Sequence, residues 1–233
     1  MSIISSVDSL LANKIKATTA NVGSLIVSDK IATKNDTDSI RIGNGSHSSA
    51  TQGENCISIN PAPEVGIIQG DRSICIGAVA GESQGIQSVA IGTYAGASGQ
   101  GTNSVAIGTN TAEYSQGNNS VAIGTNAGLR NQSNNCVAIG TDAGLSGQDN
   151  FSVAIGYHAG ISGQDDYAIA IGYQSDAVPK QPTKSIVINA TTETITPTAS
   201  SLFIKPIRGT STLTGFKQLY YNPTTGEIIY DST

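Results

Sequence analysis

From residue 39 to residue 205 the chain repeats one pattern, an apolar–x–apolar triplet followed in ten of eleven copies by Gly or Asn. The triplets run from Ile40/Ile42 and Ile57/Ile59 through Val105/Ile107, Val121/Ile123 and Val137/Ile139 to Ile186/Ile188 and Leu202/Ile204. β-Branched residues at i and i+2 describe one face of a short strand, whereas a helix would need apolar partners at i+3 and i+4, where Gly and Thr usually stand. The spacing therefore predicts eleven short strands, with Val and Ile pointing into the core of each repeat.

The residue that closes each triplet is Gly43, Asn60, Gly77, Gly92, Gly108, Gly124, Gly140, Gly156, Gly172 or Asn189, and Lys205 in the last copy. Gly and Asn enter left-handed conformations at least cost, so each strand is expected to end in a sharp bend. The intervals between these positions are 17, 17, 15, five of 16, then 17 and 16. Three residues past the bend comes a small side chain, as at Ala80, Ala95, Thr111 and Ala127. Two further on, Leu129, Leu145 and Ile161 share a column and predict a second strand with its own inward face. A polar turn then carries Gln100, Gln116, Gln132, Gln148 and Gln164 at one position.

Such a unit cannot bury its apolar face alone, but it can when stacked on copies about 4.8 Å away. The expectation is an all-β parallel β-roll or β-helix solenoid of about eleven coils, occupying residues 36–206. The middle residue of each triplet is Ala90, Ala106, Ala122, Ala138, Ala154 and Ala170 in six successive copies. By alternation this column should point out of the coil. Its small size is expected to mark close approach of another chain, hence a symmetric oligomer.

Composition agrees with a thin core. Only 12% of the 233 residues are charged and 5% aromatic, with 27 Gly and no Trp. The net charge of −5 and the lack of a basic stripe argue against nucleic acid. Residues 1–35 read as a lead-in or attachment segment, with Ile3, Ile4, Val7, Leu10, Leu11 and Ile15 on a short amphipathic helix and SLIV at 24–27 as a degenerate copy. The amino terminus lacks the pattern of a signal peptide and no run of 18 apolar residues occurs, so synthesis in a cytoplasm without membrane insertion is expected. Residues 207–233 predict a hairpin around NPTTGE that caps the roll.

Candidate chemistry is sparse. His47 and His158 lie about seven coils apart, and His158 shares a turn column with Asn110, Asn126 and Asp142. Gly43-Asn44-Gly45 lacks the rest of a dinucleotide fingerprint. Asp149, Asp165 and Asp166 read as solvated turn carboxylates before they read as a cation site. Cys56 and Cys136 fall in a column otherwise held by Ser88, Ser104, Ser120 and Ser152, and Cys75 in the alanine column, so all three are expected to be free filler residues. Asn44, Asn118, Asn131, Asn150 and Asn189 begin N-x-S/T triplets that an Asn- and Ser-rich repeat produces by chance. The hexapeptide acyltransferases are also β-helices, but their six-residue period does not fit a 16-residue unit. The expectation is a non-enzymatic protein without cofactor or metal.

NSVAIG at residues 103–108 and 119–124, with TNAG after the second, resembles the head repeats of trimeric autotransporter adhesins (YadA-like). The resemblance implies left-handed parallel β-rolls assembled as a homotrimer. Similar repeats occur in fibre and tail-fibre-like proteins of large DNA viruses and phages. Residues 185–209 and 219–233 resemble the segment that closes such repeats there, often ahead of a self-cleaving chaperone domain. That resemblance implies an adhesive fibre or spike on a virus particle, joined to other virion or capsid proteins through residues 1–35 and binding a host-surface glycan or protein. The alternatives are a purely structural capsid-associated or spacer protein, and the head of a bacterial trimeric adhesin on a cell surface.

Overall fold

The computed structural model describes residues 39–42, 52–59, 68–175, 180–207 and 219–230. The expected lead-in over 1–35, the bends at Gly43 and Asn60, and His47 lie outside these residues. Among the described residues the fold is all-β, built as a parallel solenoid. One sheet has eleven strands, from Ile40–Ile42 to Leu202–Lys205, each paired in parallel with the next triplet in the chain. Stacking is in register: Ala106, Ala122 and Ala138 are direct partners, as are Val105, Val121 and Val137. A second parallel sheet of six strands runs from Ile68–Gln69 to Ser146–Gln148. Isolated bridges carry it on from Gln148 to Gln164 and Gln181. Leu219–Tyr221 and Ile228–Tyr230 form a separate antiparallel hairpin.

The direction of the first sheet's side chains corrects the sequence reading. Ala90, Ala106, Ala122, Ala138, Ala154 and Ala170 are all 0% exposed inside their own coil. Their Val and Ile neighbours point outward and are half-buried, or exposed at Ile171. The reason is the width of the coil. Gly128 lies so close across the interior that a Cβ built on it would stand 3.3 Å from the Ala122 Cβ and 3.0 Å from the Gln132 Oε1. At these coils an interior that narrow holds a methyl group and not an isopropyl group, whereas farther along the same column Val187 is fully buried. The alanines are therefore not the surface that meets another chain.

The glutamine column is likewise inside the coil and not in a solvated turn. Gln69, Gln84, Gln100, Gln116, Gln132, Gln148, Gln164 and Gln181 are all buried. From Gln116 onward each Nε2 donates to the next coil's Oε1, at 3.1, 3.0, 3.0 and 2.8 Å. Each also donates across the coil to the first sheet, as from Gln132 to the Val121 carbonyl at 3.1 Å. One amide thus joins the two sheets and two successive coils. Leu129, Leu145 and Ile161 are only half-buried; Leu129 and Leu145 each immediately precede a strand of the second sheet, as in Arg130–Gln132 and Ser146–Gln148.

A buried serine column completes the interior. Ser104 Oγ donates to the Gly117 carbonyl (2.8 Å) and accepts from the Ser120 amide (3.2 Å). Cys56 and Cys136 substitute in that column, and Cys75 donates to Ser58 Oγ at 3.2 Å; all three are buried thiols outside any disulfide. Burial pushes the Cys136 thiol above its ordinary range.

The bends from Gly77 to Gly172 have φ between +108° and +133°. A Cβ at Gly124 would stand 2.7 Å from the Gly140 carbonyl oxygen. Coil-to-coil spacing therefore excludes a side chain there as firmly as backbone conformation does. Asn189 differs: its φ is not positive, and its Nδ2 donates to the Tyr173 and Glu193 carbonyls at 2.8 and 2.6 Å.

Candidate functional site

Because alanine, serine and glutamine fill the coil, the largest aliphatic side chains form a continuous outward stripe. Val105/Ile107, Val121/Ile123 and Val137/Ile139 stack in direct register, and the ladder continues through Ile186/Ile188 to Leu202/Ile204. It ends on Leu202 at 51% and Ile204 at 41% exposure. This row of β-branched side chains, on the open side of a sheet and beside an interior built of methyl groups and amides, is apolar surface that the single chain leaves partly uncovered.

Two exposed columns border the stripe. On the entering edge stand Asn103, Asn119 and Asn135, each at positive φ, and on the leaving edge Thr109, Thr125 and Thr141. In the next two coils both edges become aromatic: Phe151 and Tyr167 replace Asn, and Tyr157 and Tyr173 replace Thr. Phe151 and Tyr167 stack at 5.1 Å with planes 6° apart, and Tyr157 and Tyr173 at 5.4 Å and 14°. The neighbouring coils return to Lys184 and Ala190.

The polar positions of the notable turns are spoken for. Lys180 Nζ sits 2.6 Å from Asp149 Oδ2 and 2.8 Å from Asp165 Oδ1, and Asp166 Oδ1 accepts from Asn150. Burial opposes the charge on Lys180, but the hydrogen bonds and charges of the two carboxylates outweigh it and hold its ammonium above the ordinary range. One ammonium from within the chain thus bridges two of the three carboxylates, and the third accepts from an amide. Among the described residues no group of His, Cys, Asp and Glu is placed to hold a metal ion. His158 Nε2 lies 3.0 Å from Asp142 Oδ2, at the end of a ladder in which Asn110 donates to Asn126 and Asn126 to Asp142. Its ring also stacks on Tyr157 at 3.8 Å. A shallow groove of about 290 Å³ on the second sheet is lined by Gly99, Ser115, Asn131 and their neighbours, all small or polar. No described helix is long and apolar enough to cross a membrane.

The outward stripe and the serine and glutamine columns were legible only indirectly. A residue type that never varies at a supposed solvent turn, as Gln does here, was the available signal for burial.

The YadA head domain repeat matches this chain in two copies, at residues 83–111 and 114–127. The chain thus carries YadA-like head repeats, and the matched residues lie within the parallel solenoid. No curated protein and no solved structure gives a match.

Proposed function

We propose that this chain is a non-enzymatic adhesin-type head that works as a homotrimer, with the three Val/Ile stripes packed around a common axis. The observation that carries the reading is the continuous outward ladder of β-branched residues, in a chain that bears YadA-like head repeats. One chain leaves that ladder half-covered. Three copies around an axis close it and leave the turns and the second sheet facing outward, ready to meet a surface.

The repeat match favours a surface-exposed adhesin head over the virion fibre or spacer expected from the terminal segments. Adhesion through such a rod would use the repeated exposed turns, each contact weak and summed over three chains. The targets we propose are surface glycans or proteins. Sedimentation equilibrium of the full chain should return three times the chain mass of 23.7 kDa, and the same preparation should bind intact cells. A monomer at micromolar concentration would sink the trimeric reading. A trimer that binds no cell surface would leave a spacer and remove the adhesive role.

A further inference from the structure

The aromatic columns at 151/167 and 157/173 point to a specific fastening between copies. Both edges of the stripe change in the same two coils, from Asn and Thr to aromatic rings, and both change back together. The exposures are 49% for Phe151, 45% for Tyr157, 51% for Tyr167 and 39% for Tyr173, so each residue stays roughly half-uncovered in the single chain. Phe151 and Tyr167 also hold φ of 61° and 62°, a left-handed conformation that Asn, used in the preceding coils, adopts far more cheaply than a bulky ring does. The chain tolerates strain there for rings that its own fold leaves half-uncovered.

Cyclic assembly supplies the cover. In a closed ring of three parallel rods the contact is heterologous, so the entering edge of one copy meets the leaving edge of the next. Equal coils stand at equal height. The Phe151/Tyr167 pair of one chain therefore comes level with the Tyr157/Tyr173 pair of its neighbour, where other coils bring Asn level with Thr. His158, stacked on Tyr157 and tied to Asp142, holds the leaving-edge pair in place.

We propose that these two stacked pairs pack against each other across each subunit boundary, forming an aromatic girdle that fastens the assembly at the level of residues 151–173. This rests on the trimeric reading above. The occupant of the rings is a second copy of this chain and not a saccharide, because the two pairs sit on opposite margins of one apolar stripe and at one height.

The test uses the full chain and three variants: Phe151→Asn with Tyr167→Asn, Tyr157→Thr with Tyr173→Thr, and all four changes together. Each substitution installs the residue that earlier coils carry in the same column, so the coil itself should fold, as β-type circular dichroism would verify. The reading is the half-time of subunit exchange between two differently labelled populations. Each double variant should shorten it on the order of tenfold. The quadruple variant should be little worse than either, because removing one side already empties the contact. Within one chain the pairs lie at opposite ends of a strand, roughly 10 Å apart or more, so without contact between copies the two effects would multiply. Multiplying effects, or exchange at the unaltered rate, would overturn the girdle while leaving the trimer standing. Unaltered exchange in variants that lose binding to a glycan array would assign the rings to a saccharide instead. A starting protein that is monomeric would remove the girdle and the trimeric reading together.

Discussion

Val121 and Ala122 are adjacent residues of one three-residue strand, and they do opposite work. Ala122 is wholly enclosed in its coil, while Val121 is left half-covered on the outside. The same contrast holds from Ala90 to Ala170, where the interior is built from alanine, serine and glutamine and the larger aliphatic side chains of the strands lie outside; in the next coil Val187 takes the interior place. Coil cohesion therefore rests on in-register hydrogen bonds and close packing of small groups more than on burial of large apolar area. The stripe is apolar surface that the single chain does not use.

Several substitutions would break or sharpen this contrast between inside and outside. The largest effect is expected at the bends. Gly124→Ala combines a φ of +125° with a Cβ 2.7 Å from the Gly140 carbonyl. It should cost at least about 3 kcal/mol, read as a large fall in thermal midpoint. Next comes the interior: Ala122→Leu has no room opposite Gly128 and Gln132, and should cost about 1–3 kcal/mol or more with loss of regular β signal. An equal loss from Ala122→Leu and from Val121→Leu would mean that the two faces of the strand are equally enclosed.

Gln132→Leu removes the donor to the Val121 carbonyl and to Gln148 Oε1. Both acceptors are then left buried without that donor, for about 1–3 kcal/mol. Chemical denaturation would measure it, and a neutral result would mean that the amide ladder contributes nothing net. The smallest effect belongs to the surface. Lys180→Met should cost less than about 1 kcal/mol, since the ion pairs with Asp149 and Asp165 are well exposed. A lysine whose folded value is raised stabilises fully below its unfolded value, near 10.4. That contribution is lost as pH climbs through the folded value, so wild type and variant should converge in strong alkali. A difference that grows with pH would contradict the assignment.

The repeat, the short strands, their parallel stacking and the glycine bends were all legible in the sequence, because each leaves a periodic mark: Val/Ile at i and i+2, and Gly at i+3. Which face of the strand was interior was not legible. Alternation gives two faces and no label, and the usual guide, that the larger apolar side chains go inside, fails when the coil is only a methyl group deep at Ala122. The Gln132 column was misplaced for a related reason. A polar residue between two turns reads as solvated until the partner for its amide is known, and that partner, Gln148 Oε1, lies sixteen residues away. The aromatic edges at Phe151/Tyr167 and Tyr157/Tyr173 became visible as pairs only after the coils were set in register.

Small interior columns make the coil, and the proposed role of the Val/Ile stripe is to make the assembly. That role is tested most directly by replacing Val105, Val121 and Val137 with Ser in one chain and measuring mass by light scattering beside circular dichroism. The account predicts a β-type spectrum like the wild type's and a mass that falls from that of three chains to that of one. A variant that stays trimeric with unaltered stability would contradict it, because the stripe would then be facing water.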